Sequence, residues 1–140
     1  YYLEYFDDGT KSAFGAFLNP IFCWGGLFAV IGCGVLAVKD RDGRAAFIVI
    51  GYLAQFLPWV LISRLTFAYH YFPSEVFMAL ALCHMWRRCK DAGLYKWDRP
   101  YAFTGLSVIL FEAFYPVLTG VRTARWYTTY FNKWFPSWPF

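Results

Sequence analysis

Apolar positions along this chain gather in four blocks separated by short polar or aromatic stretches. Pro20 opens an uncharged run that ends at Val38, and a second uncharged run follows from Ala45 to Ile62. A third block starts at Pro73 and reaches Trp86, and a fourth covers Tyr101–Leu118. At 1.5 Å of rise per residue, a run such as the first is long enough to cross a hydrocarbon core ~30 Å thick. The third block is the shortest; it must borrow Ala68–Phe72, tilt, or thin the bilayer around it. The pattern predicts an all-α integral membrane fold with four transmembrane helices, at about 20–38, 45–62, 73–86 and 101–118. An external or interfacial segment, 1–18, precedes them, and an external aromatic tail, 119–140, follows.

Local signals refine this outline. Asp7-Asp8-Gly9-Thr10 reads as a turn. Gly25, Ala29 and Cys33 recur every four residues and offer a small-residue face to a neighbouring helix. Lys39-Asp40-Arg41-Asp42-Gly43-Arg44 is a short charged hairpin loop. Pro58 should kink or end the second helix, since it lacks an N–H and clashes with the preceding turn. Gln55, one turn earlier, is an amide at membrane depth and is expected to face other helices. Ser63–Phe72 mixes polar and aromatic residues, as an interfacial loop does, and Pro73 suits the first turn of a helix.

Composition agrees with the membrane reading. Of the 140 residues, 59% are hydrophobic and 24% aromatic, while 16% are charged, well below a soluble domain's share. Tryptophan and tyrosine collect at the lipid–water boundary. A net charge of +4 could suggest a nucleic-acid partner, but its distribution has a simpler cause. The loops 39–44 and 87–100 hold 8 of the 13 lysines and arginines (Lys39, Arg41, Arg44, Arg87, Arg88, Lys90, Lys96, Arg99). The positive-inside tendency puts both loops in the cytoplasm, and the Ser63–Phe72 loop and both ends of the chain outside. The reading is therefore a multi-pass protein of the cell membrane, in contact with lipid and with no nucleic-acid partner. Cys23, Cys33, Cys83 and Cys89 show no metal-binding or disulfide spacing and read as small hydrophobes. The chain opens on Tyr1 with no signal-peptide pattern, which suggests the tail of a longer polytopic protein.

Candidate chemistry centres on the external loop. Arg64 can fork onto phosphate or carboxylate oxygens. His70 exchanges a proton near neutral pH. Tyr69 and Tyr71 offer hydroxyls and aromatic faces that suit a sugar or a lipid headgroup, although an ordinary interfacial belt has the same composition. Glu112 lies in the fourth block, and an intramembrane carboxylate marks a functional site or a paired group facing the bundle. His84, beside Cys83, lacks further ligands at metal spacing and reads as structural. No P-loop, GxGxxG, HExxH or GxSxG motif is present.

Phe56-Leu57-Pro58-Trp59, followed by Arg64-Leu65-Thr66-Phe67-Ala68-Tyr69-His70-Tyr71-Phe72-Pro73-Ser74, resembles the C-terminal membrane region of protein O-mannosyltransferases, bacterial members above all. Phe14 to Pro20, Gly51-Tyr52-Leu53-Ala54-Gln55, Phe114-Tyr115-Pro116-Val117-Leu118-Thr119-Gly120 and Trp134-Phe135-Pro136-Ser137-Trp138 are similar to that family in the same order. Glu75 and Glu112 depart from it, standing where apolar residues are expected. The resemblance implies the C-terminal four-helix part of a GT-C membrane glycosyltransferase. Such an enzyme transfers mannose from a polyprenyl or dolichyl phosphate to Ser or Thr hydroxyls of an acceptor protein, outside the cytoplasm. It implies no cofactor, because the lipid-linked sugar is itself the substrate. The catalytic acidic pair belongs to an external loop near the family's N-terminus, so it and the preceding transmembrane helices are expected outside these residues. What carries over is supportive: Arg64, His70 and Tyr71 at the donor phosphate, with Gln55, Trp59 and Tyr69 as site wall. A small non-catalytic membrane subunit or scaffold is the alternative, and a small transporter centred on Glu112 ranks last.

Overall fold

The computed structural model describes residues 2–15, 18–62, 70–94 and 98–132. Four helices dominate: α1 (Pro20–Lys39), α2 (Gly43–Val60), α3 (Phe72–Asp91) and α4 (Asp98–Thr119). The chain divides into two compact units, residues 20–104 and the remainder, with α4 contributing to both. Three helices among the described residues are long and apolar enough to cross a membrane, at Pro20–Lys39, Gly43–Val60 and Arg99–Thr119. The fourth, α3, matches α1 in length but carries Glu75, His84, Arg87, Arg88, Lys90 and Asp91. The fold is an all-α membrane fold with a small sheet added to it.

In the first unit, α1, α2 and α3 pack around Ala29, Val30, Cys33, Ala45, Ile48, Tyr52, Met78, Ala81 and Leu82. Small residues let the backbones approach. Gly26, Ala29 and Cys33 of α1 are buried, and the Cys33 thiol donates to the Ala81 carbonyl at 3.9 Å. The small-residue face is thus set one position on from the expected one at its first member, with Gly25 turned toward Phe103 instead. The opposite face of α1 is a stripe of exposed apolar residues, Trp24, Phe28, Ile31, Val35 and Val38. In water, each such side chain left exposed forgoes about 1.5–3 kcal/mol of burial, so this stripe requires lipid or further protein. The cysteines do not behave alike: all four are free, Cys33 is buried, and Cys83 is exposed rather than an interior hydrophobe.

Helix ends follow identifiable signals. The Asp42 carboxylate caps α2, its Oδ1 accepting from the Arg44 and Ala45 backbone N–H groups at 2.9 and 3.3 Å. Pro58 does not break α2, which continues to Val60 and closes with Leu61 N–H donating to Leu57. Pro73 sits in the first turn of α3, where its missing N–H has no partner to lose. α3 then runs to Asp91, past the expected end at Trp86, and stops at Gly93, whose φ of +69° is the left-handed value glycine tolerates. Arg88 and Lys90 occupy its last turn, where the helix dipole favours positive charge.

The second unit adds a small sheet that the sequence reading of residues 1–18 and 119–140 does not include. β1 (Tyr2–Tyr5) and β2 (Thr10–Phe14) form an antiparallel hairpin, and β3 (Thr123–Ala124) extends it in the order β1-β2-β3. The turn falls at Asp7-Asp8-Gly9, with Thr10 N–H donating to the Asp8 side chain at 3.0 Å. Ala13 packs with buried Val117, and Gly15 N–H donates to the Val117 carbonyl at 3.0 Å. A π-helical segment, Tyr127–Asn132, returns to α4. There the Tyr127 hydroxyl and the Asn132 amide both donate to the Ala113 carbonyl, at 2.8 and 2.9 Å.

Candidate functional site

Two polar clusters mark the two ends of the α1–α2–α3 bundle. At the α2–α3 end, Tyr52, Phe56 and Trp59 recur at helical spacing along one face of α2. Tyr71 precedes the first turn of α3 and accepts on its carbonyl from Ser74 N–H at 2.9 Å and Glu75 N–H at 3.3 Å. This places its phenol against α2. The Tyr52 and Tyr71 hydroxyls lie 2.9 Å apart, and the Tyr71 hydroxyl also meets the Met78 sulfur at 3.2 Å. Phe56 stacks on Tyr52 at 5.6 Å between ring centroids and meets Tyr71 edge-on at 5.8 Å. His70 lies against the Trp59 indole at 4.1 Å between centroids.

Polar atoms continue inward from this aromatic layer. Ser74 is fully buried and the Glu75 Oε1 is buried; neither Ser74 Oγ nor Glu75 Oε1 has a hydrogen-bond partner among the described residues. A buried unpaired oxygen costs free energy, so such atoms are informative when they occur beside other polar groups.

The expected site residues therefore separate. His70, Tyr71 and Trp59 come together at one end of the bundle. Arg64 and Tyr69 lie outside the described residues. Gln55 does not face other helices as expected but is exposed on α2. Its position is ~60° around the helix from Tyr52, on the flank of the packed stripe. Glu112 is likewise exposed, on α4, rather than turned into a bundle. Tyr52, Ser74 and the unpaired Glu75 oxygen were not singled out as site members. Glu75 stood out in the sequence only as a carboxylate in an apolar position.

At the opposite end, Asp42 joins α2 to α3. Its Oδ2 lies 3.0 Å from His84 Nε2, and Arg88 pairs with Asp40. Desolvation works to raise the Asp42 pKa, but the Ala45 and Arg44 backbone N–H groups and the His84 ring outweigh it and hold the carboxyl below its ordinary value of 3.8. A carboxyl depressed in the folded state contributes stability above its unfolded pKa and loses that contribution as pH falls through the folded value. Thermal unfolding between pH 7 and pH 3 should therefore show the parent protein losing stability more steeply below about pH 4 than Asp42→Asn. Parallel acid profiles for the two would count against the cap and the His84 pairing.

Residues 37–138 match the family described as the C-terminal four-TMM region of protein-O-mannosyltransferase. The chain belongs to that family. The matched stretch starts in the last turn of α1 and contains α2, α3, α4 and the following segment, so both polar clusters fall within it. No curated relative and no solved structure shows significant similarity to the chain.

Proposed function

We propose that this chain is the C-terminal membrane region of a glycosyltransferase that moves mannose from a polyprenyl phosphate to Ser or Thr hydroxyls of an acceptor protein. Membership in the protein-O-mannosyltransferase family carries the reading. Its support in the geometry is the layer of Trp59, His70, Tyr71 and Tyr52 at the α2–α3 end of the bundle. Aromatic faces and hydroxyls in a partly dry setting suit a sugar or the phosphate that leaves it. In this reading Arg64 offers its guanidinium to the leaving phosphate, and His70 and Tyr71 hydrogen-bond the donor. The base that takes the acceptor's proton is a carboxylate from a part of the enzyme outside residues 1–140.

The proposed orientation places this end outside the cytoplasm, together with both ends of the chain. It is supported by Arg44, Arg87 and Arg88 lying together at the other end of the bundle, where Asp40–Arg88 and Asp42–His84 tie the α1–α2 loop to α3.

The test is transfer to a Ser/Thr peptide by the intact protein in proteoliposomes. Mannose should be incorporated from polyprenyl-phosphate-mannose and not from a nucleotide-mannose supplied alone. His70→Ala should lower the rate about tenfold, the equivalent of one good hydrogen bond lost in the transition state. Incorporation that needs only the nucleotide sugar would sink the reading.

A further inference from the structure

Arg44 and Arg87 flank the α2–α3 groove at the Asp42 end of the bundle, and neither has an ion-pair partner among the described residues. Of the neighbouring charges, Asp42 faces His84 and Asp40 takes Arg88, while Asp91 lines the adjoining cavity and leaves the two arginines in excess over it. The groove itself is apolar, lined by Phe47, Ile48, Leu80 and Cys83, and has a volume of about 480 Å³. Arg44, His84 and Arg87 line both this groove and an adjoining polar cavity of about 210 Å³. Phe47 and Leu80 are 65% and 43% exposed, so the groove opens to the side, where a membrane helix meets lipid.

We propose that this groove binds an anionic glycerophospholipid, with one acyl chain along Phe47 and Leu80 and the phosphate between Arg44 and Arg87. Charge complementarity selects the occupant. Guanidinium groups form short, charge-assisted hydrogen bonds to phosphate oxygens. Anionic headgroups are concentrated on the cytoplasmic face, the side on which the basic loops are expected. A zwitterionic lipid brings its own cation to the phosphate and gains less from two arginines. Such a site is separate from the His70–Tyr71 layer, and its occupancy is read without any mannosyl transfer.

Native mass spectrometry of the intact, delipidated protein in detergent tests the assignment, with phosphatidylglycerol and phosphatidylcholine of identical acyl chains as probes. Phosphatidylglycerol should bind about tenfold more tightly. Arg44→Gln combined with Arg87→Gln should abolish that preference, while Arg41→Gln, an exposed charge in the same loop that does not line the groove, should preserve it. A second readout needs no variant: phosphatidylglycerol should slow maleimide labelling of Cys83, which lines the groove and is exposed. Equal binding of the two lipids overturns the proposal, as does an equal loss with Arg41→Gln, which would mean diffuse attraction. Protection of Cys83 by millimolar inorganic phosphate alone also overturns it, in favour of a free-anion site.

Discussion

Replacing Arg64 with alanine in the intact mannosyltransferase should lower kcat for mannose transfer about 100-fold or more, with helix content unchanged. The magnitude follows from what an arginine at a leaving phosphate does. Negative charge grows on the phosphate as the sugar departs, and a donor aimed at that charge stabilises the transition state more than the ground state. Removing one such preorganised donor costs roughly 10²–10³ in rate. Arg64→Lys keeps the charge but loses the planar fork, so it should recover part of the loss and not all of it. In the proposed role the contact strengthens during bond breaking, so kcat and kcat/KM should fall together, with KM for the lipid donor changed much less. A variant that raises KM alone would make Arg64 a ground-state headgroup contact. Near-normal turnover would remove it from the site.

How much of this was legible before the structure depends on the range of the forces involved. The helices were legible because burial in lipid imposes a long, local pattern, and α1 and α2 lie within a few residues of the apolar runs that predict them. The far end of α3 was not, because hydropathy marks where a helix leaves lipid and not where its hydrogen bonds stop. Arg87–Asp91 are mostly charged yet continue the helix, and the stop signal was Gly93. The Asp7-Asp8-Gly9 turn is legible in the sequence, but the β1–β2 hairpin on either side of it is not. Strands of four and five residues with apolar groups on both faces show little alternation, and the third strand arrives from position 123. Gln55 was placed by an argument about depth, which says that an amide needs a partner but not that the partner belongs to the same three helices. The Asp42–His84 contact joins residues 42 positions apart. Its capping half could be read from an Asp ahead of a helix, but its pairing half could not.

The approach of α1 to α3 leads to the second large effect. A side chain added at Gly26 would put its Cβ 2.5 Å from the Met78 Cε and 2.9 Å from the Met78 Cβ. Methionine can swing its terminal methyl aside, but its Cβ is fixed to the α3 backbone, so a new rotamer cannot relieve the clash. Met78 is fully buried beside Ala81, Cys33 and Tyr52, and its sulfur contacts the Tyr71 hydroxyl. Gly26→Val should therefore push α1 from α3, destabilise the protein by about 1–3 kcal/mol, and disturb the Tyr52–Tyr71 contact. Met78→Ala alone should cost about 2–5 kcal/mol through the cavity it leaves. The informative quantity is their coupling. In Gly26→Val/Met78→Ala the contact with the residue-78 Cβ remains, but the valine methyls enter the space that the Met78 Cγ and Cε vacated, so the double variant should lose less than the sum of the two single losses. Reversible unfolding in mixed detergent measures all three. Strictly additive losses would mean that Gly26 and Met78 do not share that space, and the close α1–α3 packing that positions Tyr71 would have to be abandoned.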